Sequence, residues 1–121
     1  MDTARSYREL VAWQKAMALA EQTYLLAQKP PERERFGLWS QMTRAATSIP
    51  ANLAEGHGRQ GQREFANFVS IARGSLAELE TFLTLAERLG YFTPEHTTSS
   101  FSLADEVGRL TTRLLQSLRS P

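Results

Sequence analysis

Residues 38–83, LWSQMTRAATSIPANLAEGHGRQGQREFANFVSIARGSLAELETFL, decide the fold of this chain. On the N-terminal side Leu38, Met42, Ala46, Ile49 and Leu53 recur at steps of three and four, the spacing of one helical face. On the C-terminal side Phe65, Phe68, Ala72, Leu76, Leu79 and Leu83 repeat that spacing, and Ala86 extends it. Between them Glu55-Gly56-His57-Gly58-Arg59-Gln60-Gly61 is rich in the residue that ends helices. The spacing therefore predicts one helix from about Glu32 to these glycines and another from about Gln62 to Leu89. Gly61 followed by Glu64 resembles a helix start, and Gly90 marks the stop. Pro50 falls inside the first of the two, where its ring clashes with the carbonyl of Ala46. A bend centred between Ala46 and Pro50 is expected, without a break into two helices.

The same period continues outward in both directions. Leu10, Trp13, Met17, Ala20, Tyr24 and Ala27 give a first helix from about Ser6 to Gln28, stopped by Pro30-Pro31. Thr93-Pro94-Glu95 reads as a cap, a first-turn proline and an early carboxylate. It opens a fourth helix with Phe101, Ala104, Val107, Leu110, Leu114 and Leu118 inward. No stretch alternates with period two, so the fold class is all-α. Short connections between amphipathic helices predict an up-down-up-down four-helix bundle, with residues 1–121 as one domain.

Composition narrows the function classes. With 121 residues, 41% hydrophobic and 22% charged, the chain builds one core and not two. It has no cysteine, which suits a reducing cytoplasm. Neither a signal-peptide pattern nor a run of about 18 apolar residues is present, so no membrane role is expected. The net charge of +1 offers no bulk attraction to polyanions, so any such binding requires segregated charge.

Catalytic and cofactor patterns fail on context. Gly56-His57-Gly58-Arg59-Gln60-Gly61 spells the dinucleotide fingerprint, but a helix precedes it where a strand is required. Di-metal bundles need a Glu three residues before a ligating His, and Ala54 and Thr93 precede His57 and His96. Helical ribonuclease toxins carry an arginine four to six residues ahead of the histidine, whereas Arg88 stands farther from His96. No catalytic residue, metal ligand or cofactor is assigned, and both histidines read as exposed loop or cap residues.

Surface features are more informative. Gln41, Ala45, Ser48, Asn52, Glu55 and Arg59 form a polar, small-residue stripe on the second helix. Ala66, Ser70, Gly74, Ala77 and Thr81 form another on the third. Small side chains let helices approach closely, so the stripes suit ordinary packing within one chain or a subunit interface, and Ser48, Asn52, Ser70 and Gly74 are the interface candidates. Trp13 and Trp39 read as core, with one of them a candidate interface anchor. In an up-down bundle Arg5, Arg8, Arg59, Arg63, Arg113 and Arg119 gather at one end, with Arg109 nearby. Asp2, Glu9, Glu55 and Glu64 offset them in part, and Glu87, Glu95, Asp105 and Glu106 are placed toward the other end. These six arginines are the candidate nucleic-acid-binding residues, with a merely solvated face as the alternative of equal standing.

The run Gly37-Leu38-Trp39-Ser40-Gln41-Met42-Thr43-Arg44-Ala45-Ala46-Thr47-Ser48-Ile49-Pro50-Ala51-Asn52-Leu53-Ala54-Glu55-Gly56 resembles the four-helix-bundle proteins encoded within intervening sequences of bacterial 23S ribosomal RNA genes. Arg63-Glu64-Phe65, Ile71-Ala72-Arg73-Gly74-Ser75-Leu76-Ala77-Glu78-Leu79, Leu89-Gly90-Tyr91 and the opening Tyr7-Arg8-Glu9-Leu10-Val11-Ala12-Trp13 extend the likeness. The resemblance implies a bundle that commonly assembles as a ring of five subunits. It reaches a related branch, the accessory protein of diversity-generating retroelements, which binds reverse transcriptase and nucleic acid through a basic surface. The expected function is thus a non-enzymatic homo-oligomeric scaffold, a pentamer by resemblance, with RNA or DNA at its arginine-rich end. The alternative is a protein-interaction adaptor for a nucleic-acid enzyme, without nucleic-acid binding of its own.

Overall fold

A computed structural model describes residues 5–121, so Asp2 lies outside the described residues. Four helices follow in order: α1 Val11–Leu26, α2 Leu38–His57, α3 Gln62–Arg88 and α4 Pro94–Arg119. Short 3-10 turns at Tyr7–Glu9 and Glu32–Glu34 precede α1 and α2. Each helix packs on two neighbours in the order α1, α2, α3, α4 and back to α1, so α1 stands diagonally across from α3. Ser48 meets Ser75 of α3 and Trp39 meets Tyr91 just beyond the end of α3, so α2 and α3 run in opposite directions, as an up-down-up-down bundle requires.

The first helix starts later than its periodicity suggests. Ser6 Oγ accepts from Arg8 N at 3.2 Å, while the Glu9 carboxylate accepts from Ser6 N, also at 3.2 Å. This reciprocal cap closes a separate turn and leaves Leu10 extended, so the helix begins at Val11. Its buried face also differs from the expected one. Ala12, Ala16, Leu19, Ala20, Thr23 and Leu26 are buried, whereas Met17 and Tyr24 are exposed and Trp13 is half-buried. The helix is apolar nearly all round, so period alone did not fix its rotation. The alanines set it, because small side chains let α1 lie close against α2 and α4.

The other helices follow their patterns more closely. Leu38, Met42, Ala46, Ile49 and Leu53 are all buried on α2, which continues through Pro50 without interruption. Glu34 holds its start, accepting from Leu38 N at 3.1 Å and from the Tyr91 hydroxyl at 2.8 Å. Trp39 is core, stacked on Phe92 with its Nε1 donating to the Lys29 carbonyl at 2.9 Å. At the end of α3, Gly90 takes φ +80°, and the Tyr91 and Gly90 amides return to the Ala86 and Glu87 carbonyls. Thr93 caps α4, and His96 Nδ1 accepts from the Thr93 amide at 3.2 Å. The inward line of α4 is partly polar: Thr97, Ser100 and Thr111 are buried with Ala104, Val107 and Leu118, while Phe101, Leu110 and Leu114 flank them half-buried.

Candidate nucleic-acid interface

The bundle brings the start of α1, the α2–α3 turn and the end of α4 to one end, and with them Arg5, Arg8, Arg59, Arg63 and Arg119. Arg113, expected there too, lies instead along the flank beside Arg73, Ala77 and Glu80, because α4 runs on past it. The Arg8 guanidinium lies 5.3 Å from the Tyr7 ring centroid and 5.9 Å from that of Trp13. Arg59 follows α2, paired with Glu55 at 2.8 Å and leaning over Phe68. Arg63, in the first turn of α3, is exposed. Arg119, in the last turn of α4, donates to Ser70 Oγ at 3.3 Å, and a cation there also suits the helix dipole. Among the described residues the side chains of Arg5, Arg8, Arg63, Arg113 and Arg119 enter no ion pair, and Arg59 does. Asp105 and Glu106 fall at mid-helix rather than at the far end, paired with Arg109 at 3.2 Å and Lys15 at 3.2 Å respectively.

The glycines of the turn have three separate jobs. Gly56 lies inside α2, where an added Cβ would stand 2.6 Å from Phe68 Cβ and 3.0 Å from the Phe65 ring. Gly58 terminates α2 in a helical conformation, and Gly61 opens α3 at φ +94°, which a residue with a side chain rarely adopts. A helix leads into this segment, so it lacks the strand that a dinucleotide fingerprint requires. His57 belongs to the last turn of α2 rather than to a loop, half-buried with its ring edge-on to Phe65 at 5.6 Å. Among the described residues no group of three or more His, Cys, Asp or Glu side chains is placed to hold a metal ion.

The four interface candidates separate into two pairs. Ser48 Oγ and Ser75 Oγ share a hydrogen bond of 2.8 Å, and Asn52 Nδ2 donates to the Ser48 carbonyl and hydroxyl at 2.8 and 2.9 Å. That triad is half-buried in the α2–α3 seam of a single chain. Gly74 is exposed, and an added Cβ there would meet nothing within 4 Å. Ser70, one turn earlier, is the partner of Arg119.

Two features escaped the sequence reading. Of the first-helix residues that periodicity turned inward, Leu10 and Ala20 are buried, while Trp13, Met17 and Tyr24 line an open apolar groove of about 640 Å³. Trp13, Met17 and Tyr24 form one wall, Pro50, Ala51 and Ala54 of α2 the other, and Trp13 meets Tyr7 edge-on at 5.2 Å. The rotation of α1 carries the signal, and no periodicity sum reports it. The second is Arg73, half-buried between α3 and α4 and bonded to three oxygens of α4. In sequence it is one arginine among many on a polar face. Nearby, burial pushes the Glu80 carboxyl up, the Asp105 charge adds to this and Arg73 opposes it.

The 23S rRNA-intervening sequence protein family matches the chain over residues 8–113. A crystal structure from Bacteroides thetaiotaomicron, described as a protein of unknown function from the S23 ribosomal protein family, is similar at 27% identity with a TM-score of 0.81. The similarity covers 88% of this chain and 96% of that one. No curated protein matches the chain.

Proposed function

Because the chain belongs to the 23S rRNA-intervening sequence protein family, we propose that it is a non-enzymatic cytoplasmic scaffold that assembles with copies of itself and holds RNA or DNA at its arginine-rich end. The observation that carries this reading is the arginine pairing. The net charge is +1, yet five of the six candidate arginines enter no ion pair among the described residues, four of them at that end and Arg113 along the flank. Backbone phosphates supply the missing anions, and each one neutralised releases counterions.

Self-association supports the same reading, because a ring repeats a weak patch and lets several contacts act on one strand. Apolar surface is left uncovered on diagonally opposite helices: the α1–α2 groove on one side, and on the other Ile71 beside Gly74 on α3, with Leu85 about three turns farther along. Two different patches facing away from each other suit head-to-tail contacts, which close into a ring when the rotation permits. Five subunits is the number implied by the family resemblance. Light scattering should give a multiple of 13.6 kDa, and a monomer at micromolar concentration overturns the assembly.

The decisive experiment replaces Arg59 and Arg63 with glutamate and measures RNA and DNA binding across a salt series. Both residues are exposed beside the turn, so helicity and oligomer mass should stay constant. Affinity should fall for all sequences alike, with a shallower salt slope. Wild-type protein that binds nothing at about 50 mM salt removes the nucleic-acid reading. The adaptor reading then takes its place, with the apolar groove as the feature that favours it.

A further inference from the structure

Arg73 is an anchored cation with a free edge. Its Nη1 donates to the Gly108 carbonyl at 2.8 Å, Thr111 Oγ1 at 3.0 Å and Thr112 Oγ1 at 2.6 Å. All three acceptors are neutral. The two threonine hydroxyls spend their own protons on the Val107 and Gly108 carbonyls, at 2.7 and 2.8 Å, so they offer Arg73 lone pairs. Among the described residues no carboxylate forms an ion pair with Arg73, and no partner is found for its Nη2 and Nε hydrogens. The Nε/Nη2 edge carries the two parallel N–H bonds that fork onto an oxyanion. Folding has already fixed the guanidinium, so a ligand meets an ordered donor and little further entropy is lost.

Arg73 borders open space between α3 and α4, and on the Arg119 side that space is lined without carboxylate side chains among the described residues. Two hollows between α3 and α4, of about 430 and 510 Å³, both include Arg73 and Thr112 in their walls. Through these shared residues they make one furrow, which runs past Arg119 to Ser120 and Pro121. The first hollow holds two carboxylates, Asp105 paired with Arg109 and Glu80 close enough to feel the Arg73 charge. Against them stand Arg73, Arg109 and Arg113, the last of which enters no ion pair among the described residues. No carboxylate side chain lines the second hollow among the described residues, and Arg119 there has a serine hydroxyl as its partner. Arg113 and Arg119 are six residues apart on α4, about 9 Å along its axis. That length suits more than one phosphate of a strand whose charges recur about every 3.4 Å of helix axis.

We propose that the α3–α4 furrow is a phosphodiester-binding channel, in which the Nε/Nη2 edge of Arg73 grips one backbone phosphate while Arg113 and Arg119 hold its neighbours. The proposal rests on the nucleic-acid reading above and extends it from the exposed turn to the flank of the bundle. It also gives Arg73 a ligand-facing duty that the sequence pattern did not assign.

The test uses the full chain and fluorescein-labelled single-stranded 20-mers of mixed-sequence RNA and DNA, read by anisotropy over a salt series. Arg73→Lys keeps the charge and removes the fork, so affinity should drop about tenfold with the salt slope nearly unchanged. Ala77→Glu places a carboxylate at an exposed position on the wall of the furrow. It should weaken binding and flatten the slope without touching the core. Should Arg73→Lys lower the melting temperature enough to unfold the chain, Ala77→Glu decides alone. Wild type that binds neither probe removes the nucleic-acid reading itself. Wild type that binds, is weakened by the Arg59 and Arg63 changes, and is unaffected by Ala77→Glu and Arg73→Lys overturns the furrow and leaves that reading standing.

Discussion

Replacing Gly56 and Gly74 by alanine in turn makes the same chemical change at two helical sites with opposite surroundings. At Gly74 the new methyl meets nothing within 4 Å, and the position is exposed in mid-α3. Alanine there should add roughly 1 kcal/mol of helix propensity, and a chain of this size should melt about 3–5 °C higher. At Gly56 the new Cβ would stand 2.6 Å from Phe68 Cβ and 3.4 Å from the Phe65 carbonyl oxygen. Neither is the free end of a flexible side chain, so α2 and α3 must move apart near the turn. Overpacking of this kind costs about 1–3 kcal/mol. Gly56 is also the penultimate residue of α2, so little propensity is gained in return. The two variants should therefore differ by about 2–4 kcal/mol in unfolding free energy, with Gly56→Ala below wild type and Gly74→Ala above it. Urea titrations followed by far-ultraviolet circular dichroism, repeated at several protein concentrations, read both values and separate folding from assembly. Equal shifts for the two variants, or a Gly56→Ala protein more stable than wild type, would refute the close-packing argument.

Ser100 Oγ is buried without a partner among the described residues, so Ser100→Ala should raise stability by about 1 kcal/mol, and a lower melting temperature would show that the hydroxyl is satisfied. The Glu34 carboxyl is held below its ordinary value by the Leu38 amide, then by the Tyr91 hydroxyl and the Arg33 charge. A depressed carboxylate adds stability above its unfolded value and loses it as pH falls through the folded one. Glu34→Gln should therefore be less stable at neutral pH and converge on wild type in acid, and a gap that stays constant through the acid range would contradict this. The bend expected between Ala46 and Pro50 is tested by an experimental structure, where a straight axis from Trp39 to Glu55 would remove it.

What the sequence determined by itself was the set of helices and their stops, because local chemistry writes both. Leu38, Met42, Ala46, Ile49 and Leu53 keep one period without competition, and Gly90 and Thr93 end α3 and start α4 through bonds to residues at most five positions away. The placement of Arg5, Arg8, Arg59, Arg63 and Arg119 near one end followed from the same information, since topology alone places the helix ends, while Arg113 lies along the flank. Tertiary structure decided the rest. The rotation of α1 was open because apolar residues surround it, and contact with α2 and α4 selected its alanine face and left Trp13, Met17 and Tyr24 to the groove. Gly56 looked like part of a turn until the Phe65 and Phe68 side chains arrived from α3. Arg73 acquired its anchored, half-free guanidinium from Gly108, Thr111 and Thr112, residues 35–39 positions away on α4. A local pattern records the bonds a segment makes with itself. It cannot record which side chains of a distant helix complete a packing face or a hydrogen-bond set, because those partners exist only once the bundle has closed.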